Sequence, residues 1–460
     1  MSLIFSLPSI LEESRREYCK IKESLESGPK FFPVEKIYHR KSEESSLLAR
    51  GDNLDFIQYL LREKKMEGKL QLAYLDPPFY SKASYDAVIR LKSEVVGEVP
   101  AIKPLAYEDL WKTGIEEYLR MLCVRFFLIR DLLSEEGCLW VHLDWHVVHY
   151  VKILLDAIFG EKNFVNEVVW HYKSGGTGKR NFSRKHDTLL FYGKSRHYYF
   201  RPLKEKSYNR GYKPYRFKGV KEYKDELGWY TMVNMKDVWQ IDMVGRTSRE
   251  RTGYATQKPE QLLERIIESC SRPGDCCADF FCGSGSFAAA AEKLSRTWIA
   301  CDIGGIAAAC SLKRMSVKKS AFVLLEECPD RQGDELEIRL QVEPIDLTDK
   351  KLVTVTLDGY TMDMKRVSLK REDREILKKF RKKDPLQLLE YWSVDFHYDG
   401  RVHNPQFSFP KENHTMEKVC RQIVSDTGKI SVRAVDVFGN SSLKVLDMGE
   451  VPECEREMEE

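Results

Sequence analysis

Apolar positions recur along residues 47–200 in two alternating rhythms. "KLQLAYLD" and "GCLWVHLD" are short, nearly continuous apolar runs, each ending in an acid. Such runs predict strands buried on both faces. "GIEEYLRMLCVRFFLIRDLLS" and "HVVHYVKILLDAIFG" carry apolar residues at helical spacing, and Gly160 offers the second a C-terminal cap. Strand, helix, strand, helix predicts a mostly parallel sheet covered on both faces. The rhythm lapses over 201–250, a stretch rich in Lys, Arg, Tyr and Gly. It resumes with "PEQLLERIIESCS" as a helix, "DCCADFF" as a strand, "SFAAAAEKLS" as a helix and "TWIACDI" as a strand. The expected fold class is α/β, a doubly wound and mostly parallel sheet.

After Lys318 the pattern changes. "LEIRLQVEPI", "KLVTVTLDG", "YWSVDFHYD" and "KISVRAVDVFGNSS" alternate as strands do, with turn residues between them. They predict a separate β-rich C-terminal domain. It contains one basic helix near "REDREILKKFRKK", which reads as a solvated face or as a nucleic-acid contact. Residues 1–45 read as helical and charged, with a turn near Gly28 and Pro29. The expected division is a helical N-terminal extension over 1–45, a core over 46–318 interrupted by an inserted region over 171–250, and the β-rich domain over 319–460.

At 460 residues, 42% hydrophobic and 32% charged, the chain fits a soluble globular protein of two or three domains. The net charge of +3 says little, but its distribution says more. His171 to Lys224 contains 16 Lys and Arg against 3 Asp and Glu, whereas beyond Leu446 there are 7 acids against 1 Arg. One surface is therefore expected to meet a polyanion. The 12 cysteines include no C-x-x-C pair, so no zinc site is expected, and they read as buried thiols in a reducing compartment. The start "MSLIFSLPSILEESRREYCK" lacks a basic stretch ahead of its apolar residues and reads as mature rather than as a signal peptide. No run approaches the ~18 apolar residues of a membrane span. A cytoplasmic location is expected.

Two stretches carry candidate chemistry. "LDPPFY" closes the apolar run at Leu75 with an acid, two prolines and two aromatics. Each proline fixes φ and removes a donor, so the strand must stop there. "ADFFCGSGSFAAAAEKL" sets Gly283 and Gly285 between a strand and an Ala-rich helix. The following strand ends in Asp302, about twenty residues beyond Asp279, where an acid can bind ribose hydroxyls. An ordinary strand-to-helix corner is the alternative. Ala288 stands where a third glycine would mark a pyrophosphate site, and "TGKRNFS" lacks phosphate-loop spacing. A ligand with a ribose and no pyrophosphate fits better, and S-adenosylmethionine is one.

With those stretches in hand, the chain resembles amino-group DNA methyltransferases of the permuted type, in which the catalytic segment precedes the cofactor segment. "GDNLDFIQYL", "LDPPFY", "LWVHLDWHVVHYVKILLDAIFGEKNFVNEVVW", "FSRKHDTLLFYGKS", "TQKPEQLLERII" and "RPGDCCADFFCGSGS" occur in the family's order and cover most of residues 47–305. "YWSVDF" and "VRAVDVFGN" also resemble the tail of longer relatives, among them modification subunits of restriction systems. The resemblance implies a Rossmann-like S-adenosylmethionine-dependent core, with 171–250 as the target-recognition region. "KSGGTGKRNFSRKHD" is then a loop that orders over DNA, its movement eased by Gly175, Gly176 and Gly178, or else a solvated surface loop.

The resemblance also implies roles. An exocyclic amine is a poor nucleophile because its lone pair is delocalised into the ring. Asp76 and the Pro77 carbonyl would accept its hydrogen bonds, Pro77 and Pro78 would hold those acceptors rigidly, and Phe79 would stack on the flipped base. Asp279, Phe281, Cys282, Gly283, Gly285 and Asp302 would bind the cofactor. Thr256 and Lys258 of "TQKP" would lie by the methionine carboxylate, or simply mark a helix entry. Asp52 of "GDNL" would approach the adenine, or act as a helix N-cap or turn residue. Family members commonly have Tyr where Phe79 stands, and many have "DPFAGSGTT" where this chain has "DFFCGSGSF". An initial Asp in the catalytic tetrapeptide is usual for adenine enzymes. The expected function is transfer of a methyl group to N6 of adenine in double-stranded DNA; transfer to N4 of cytosine, or a non-catalytic DNA-binding relative, are the alternatives. A restriction endonuclease subunit and a second copy of the chain are the other partners implied.

Overall fold

The computed structural model describes residues 3–450 apart from 25–27, 29, 38–45, 99, 175, 177, 328–334 and 426–427. Ten strands form the main sheet, in the order Phe32–Ile37, Phe322–Glu326, Ser46–Arg50, Thr297–Asp302, Cys276–Asp279, Leu70–Leu75, Leu133–Leu143, His186–Gly193, Phe164–His171 and Val238–Gln240. All run in one direction except Phe32–Ile37 and His186–Gly193. The apolar runs read from the sequence are its central members, and Leu70–Leu75 is buried at every position.

Helices cover both faces. Asn53–Arg62, Ile115–Leu132 and Val148–Phe159 pack on one, through Phe56, Leu122 and Leu155 among others. Glu260–Cys270, Ser286–Lys293 and Gly305–Val317 pack on the other, where Ala288 to Ala291 let the backbone approach the sheet closely. The chain leaves Leu70–Leu75 over the first face and leaves its neighbour Cys276–Asp279 over the second. Connections diverging in this way open a crevice beyond the carboxyl ends of the two strands.

The expected division needs three corrections. The segment 1–45 is helical over Leu7–Glu23, but Phe32–Ile37 is an edge strand. An edge position tolerates Pro33, and the register shifts between Pro33 and Glu35. Phe322–Glu326 pairs with both Phe32–Ile37 and Ser46–Arg50, so the core sheet runs past residue 318. Within 171–250, His186–Gly193 is a strand of the main sheet and Val238–Gln240 pairs at its far edge. The part set apart is a small antiparallel sheet of Lys204–Tyr208, Trp229–Asn234 and Glu222–Lys224. Gly175, the turn at Pro29 and most of the acidic tail lie outside the described residues.

The C-terminal strands form one sheet of three and one of four, which share a core with Leu377 and Phe380 of the basic helix Arg371–Lys383. A buried ion network joins this unit to the edge of the main sheet. Arg433 donates to Glu35 at 2.6 Å and to Glu326 at 3.1 Å. Glu35 also accepts from Tyr391 at 2.5 Å and from Ser393 at 2.7 Å. Removing Arg433 strands two buried carboxylates. Arg433→Ala is expected to cost about 3–5 kcal/mol in denaturant unfolding, far beyond an exposed pair such as Arg16–Glu12, worth ~0–1 kcal/mol.

Candidate active site

The Leu70–Leu75 strand delivers Asp76 to the crevice, and Pro77 and Pro78 turn the chain across its mouth. A carboxylate at that depth needs a partner. Lys258 reaches it from the loop before Glu260–Cys270 and donates to Asp76 Oδ2 at 2.5 Å. The other oxygen, Oδ1, is buried and has no hydrogen-bond partner among the described residues. His142 Nδ1 lies 4.0 Å from it. Phe79 packs against the His142 ring with centroids 5.7 Å apart, and Lys258 lies over the Phe79 ring at 5.1 Å.

The neighbouring strand ends in Asp279, which accepts from the Phe281 N–H at 2.9 Å. Burial nevertheless pushes the Asp279 carboxyl well above the usual range. Asp302, at the tip of the next strand, accepts from the Gly283 N–H and the Gly304 N–H, each at 2.8 Å, and burial raises it too. Gly283 has φ +47°, and a Cβ there would lie 3.1 Å from the Tyr254 ring, so glycine keeps that wall open. Phe287, one residue into the following helix, stacks on Tyr74 with centroids 5.5 Å apart and ties the two strand ends together.

One cavity of about 410 Å³ lies between these groups. Asp52, Asp76, Pro78, Thr256, Lys258, Asp279, Phe281, Cys282, Gly283 and Asp302 all line it. Pro77, Phe79 and Gly285 are not among its lining residues. Pro77 is buried behind the turn. Gly285 has φ +72° and faces the Gly305–Val317 helix, where a Cβ would meet Ser311 Oγ at 2.7 Å. Its lack of a side chain serves helix packing. Lys258, expected by the methionine carboxylate, is engaged by Asp76 instead. Asp52 caps Asn53–Arg62 by accepting from the Leu54 N–H at 2.7 Å, and it also lines the cavity.

Several lining and neighbouring residues escaped the sequence reading. Arg125 donates to Asp52 at 3.0 Å and to Asn53 at 2.5 Å, and Asn53 donates to the Phe280 carbonyl at 2.6 Å. Tyr107 and Tyr254 form another wall, with the Tyr107 hydroxyl 3.2 Å from Thr256 Oγ1. His142 and Asp187 are the others. A histidine inside the apolar run "LWVHL" was the available signal for the first.

These residues suit S-adenosylmethionine. A cavity of this size accepts a nucleoside, and Asp52, Asp76, Asp279 and Asp302 all line it. A family model described as "DNA methylase", of N6 and N4 methyltransferases, matches residues 70–308. The type II methyltransferase M1.MboII of Moraxella bovis is 31% identical over 254 residues, covering 51% of this chain and 84% of that protein. The type II methyltransferase M.EcaI of Enterobacter cloacae is 27% identical over 344 residues, covering 61% of this chain and 72% of that protein. Among solved structures, the PvuII DNA methyltransferase, described as cytosine-N4-specific, aligns at 16% identity over 61% of this chain and 89% of its own, with a TM-score of 0.40.

The acids near Arg125 give a test by pH. Burial, with Asp52 and Glu327 alongside, pushes the Asp55 carboxyl up to about 6. The unfolded value is about 3.9. The folded chain thus holds the extra proton between those values, and stability contributed by Asp55 falls as pH rises from about 4 to about 6. The melting temperature of Asp55→Asn, relative to the parent, is expected to rise through that window and then level off. A constant difference would contradict the assignment.

Proposed function

This chain belongs to the N6/N4 DNA methylase family, and we propose that it methylates the exocyclic N6 of an adenine flipped out of double-stranded DNA. That it is an S-adenosylmethionine-dependent amino-group DNA methyltransferase follows from the family. The choice of adenine is the finer step, and the Asp that opens Asp76-Pro-Pro-Phe79 supports it. The observation that carries the assignment of roles is the shared cavity, with the Asp76 turn and the Asp279–Gly283 loop at the ends of two paired parallel strands.

Asp76 is the acceptor of the amine. Lys258 fixes Oδ2, so Oδ1 is the oxygen free to take a hydrogen bond from the amino group, with the Pro77 carbonyl as the second acceptor. Drawing both N–H bonds aside favours a tetrahedral nitrogen with a directed lone pair. The prolines fix the acceptors in advance, so little reorganisation accompanies reaction. Phe79 presents a stacking face, worth ~1–3 kcal/mol for a flipped base. Asp302 is suited to ribose hydroxyls, Asp52 to the adenine end, and Thr256 with the Phe281–Gly283 loop to the methionine end. S-adenosylmethionine, when bound, supplies the methyl group, and the electron pair of its C–S bond stays with sulfur.

The basic stretch from His171 to Lys224 suits phosphates, and its contribution should weaken with salt. By the same reading the protein works in the cytoplasm, with a cognate restriction endonuclease and as a homodimer.

Asp76→Ala is expected to lower methyl transfer to unmethylated bulk DNA by about 10³-fold or more while cofactor binding, followed by calorimetry, persists. Mass spectrometry of nucleosides from DNA treated with the parent protein should show N6-methyladenine. N4-methylcytosine in its place would overturn the choice of base and leave the family assignment standing.

A further inference from the structure

His142 is a fully buried histidine to which the roles above give no task. It sits in the Leu133–Leu143 strand, one position before the last. Its Nε2 and Asp187 Oδ2 are 3.2 Å apart. An ionised carboxylate only accepts, so Nε2 carries the hydrogen, and Nδ1 accepts from the Tyr74 hydroxyl at 2.9 Å. Asp187 also accepts from the Tyr172 hydroxyl at 3.0 Å. Burial works to raise the Asp187 carboxyl, but His142, Lys258 and Tyr172 outweigh it and hold it below the usual range.

Several titratable groups face the imidazole. Asp76 and Tyr74 face it from the Leu70–Leu75 strand and its turn. Asp187 faces it from His186–Gly193, with Tyr172 behind. Trp170 lies edge-on at 5.3 Å, Phe79 is tilted over it, and Lys258 stands beyond Asp76. Asp144 follows two residues on, where it accepts from His146 and lies near Asp187. The imidazole thus stands between two carboxylates, one facing the cavity and one on the next strand.

Resting on the reading of Asp76 as the amine's acceptor, we propose that His142 and Asp187 form a proton relay that carries away the proton released by methylation. A primary amine that gains a methyl group becomes a cation with two N–H bonds, and the neutral product keeps one. The surplus proton passes to Asp76 Oδ1, the oxygen Lys258 leaves free. It then passes to His142 Nδ1, as the Tyr74 hydroxyl turns from donor to acceptor. The resulting imidazolium is held by Asp187 through Nε2–H. The Nε2 proton then leaves to solvent by way of Asp187, 12% of whose side chain is exposed, which leaves His142 in its Nδ1–H form; once the product has gone, Nε2 regains a proton from solvent by the same path as Nδ1–H is given up through Asp76, and the Nε2–H form is restored with one proton released in all. Charge and proton count balance without a further reactant. A histidine that merely joined strands would not need to face the one Asp76 oxygen left open.

The test is single-turnover methyl transfer to unmethylated bulk DNA across pH, with cofactor affinity measured alongside. His142→Gln, which can still hydrogen-bond both neighbours, is expected to slow transfer about 10²-fold at unchanged cofactor affinity. The acid limb of the rate profile, where His142 must be neutral to accept, should disappear. Asp187→Asn removes the anion that favours the imidazolium, so its acid limb should move to lower pH. A parental profile in both variants, or an equal loss at every pH, would overturn the relay. If His142→Gln fails to bind cofactor, the Asp187→Asn profile decides alone. Inactive Asp76→Ala beside a fully active His142→Gln would sink the relay only, whereas an active Asp76→Ala would remove the reading on which it rests.

Discussion

Three backbone-paired positions, Cys277, Ala278 and Asp279 against Leu72, Ala73 and Tyr74, hold segments about 200 residues apart at one height. Both strands are parallel and covered by helices on both faces, so a one-residue slip in register would exchange the side chains packed under the two helical layers. Everything at the cavity inherits its position from this pairing. Asp76 and Phe281 each follow a strand end by a residue or two, and Lys258 can reach Asp76 only because its helix packs under the same pair. The stack of Phe287 on Tyr74 repeats the connection in side chains.

That geometry concentrates carboxylates. Asp52, Asp76, Asp279 and Asp302 line one cavity, against Lys258 and Arg125. Backbone N–H groups offset part of the excess, at Phe281, Gly283 and Gly304. Burial still raises Asp279 and Asp302, so their carboxyls are biased toward protonation. A sulfonium ligand brings a positive charge into this field.

The sheet and one half of the site were legible because their signals are local. "LDPPFY" and "FCGSGS" each announce a strand end within six residues, and Ala-rich helical spacing marks the helix between Asp279 and Asp302. The Asp52 cap was legible for the same reason. His142 and Asp187 were not, because their meeting depends on an antiparallel pairing in which Thr188 stands opposite Leu143. Nothing near Asp187 announces that register; it follows a polar loop that reads as insertion. The strand at Phe32–Ile37 was hidden by Pro33 and by Glu35, a charge whose burial only the distant Arg433 explains. The packing role of Gly285 was not legible either, because its Cβ position meets Ser311 of a helix that lies beyond the next strand.

The cavity also depends on the C-terminal unit, by a route through the chain that follows Phe79. Residues 84–108 leave the turn as an excursion, and Leu91 and Ile102 bury themselves in the C-terminal core beside Leu377 and Phe380. Ser93 donates to Asp384 at 2.5 Å, and the Lys103 N–H donates to Asp373 at 3.1 Å. The same excursion returns to the cavity carrying Tyr107 and Glu108, while buried Asp109 holds Ser81 and Trp111. One wall of the cavity is thus continuous with a second hydrophobic core. Local opening of that wall must break contacts in the C-terminal unit, which raises its free energy above that of a free loop of equal length. An unsupported stretch of about 30 residues between the Asp76 turn and the next helix would pay much of its ordering entropy on ligand binding; here folding has already ordered it.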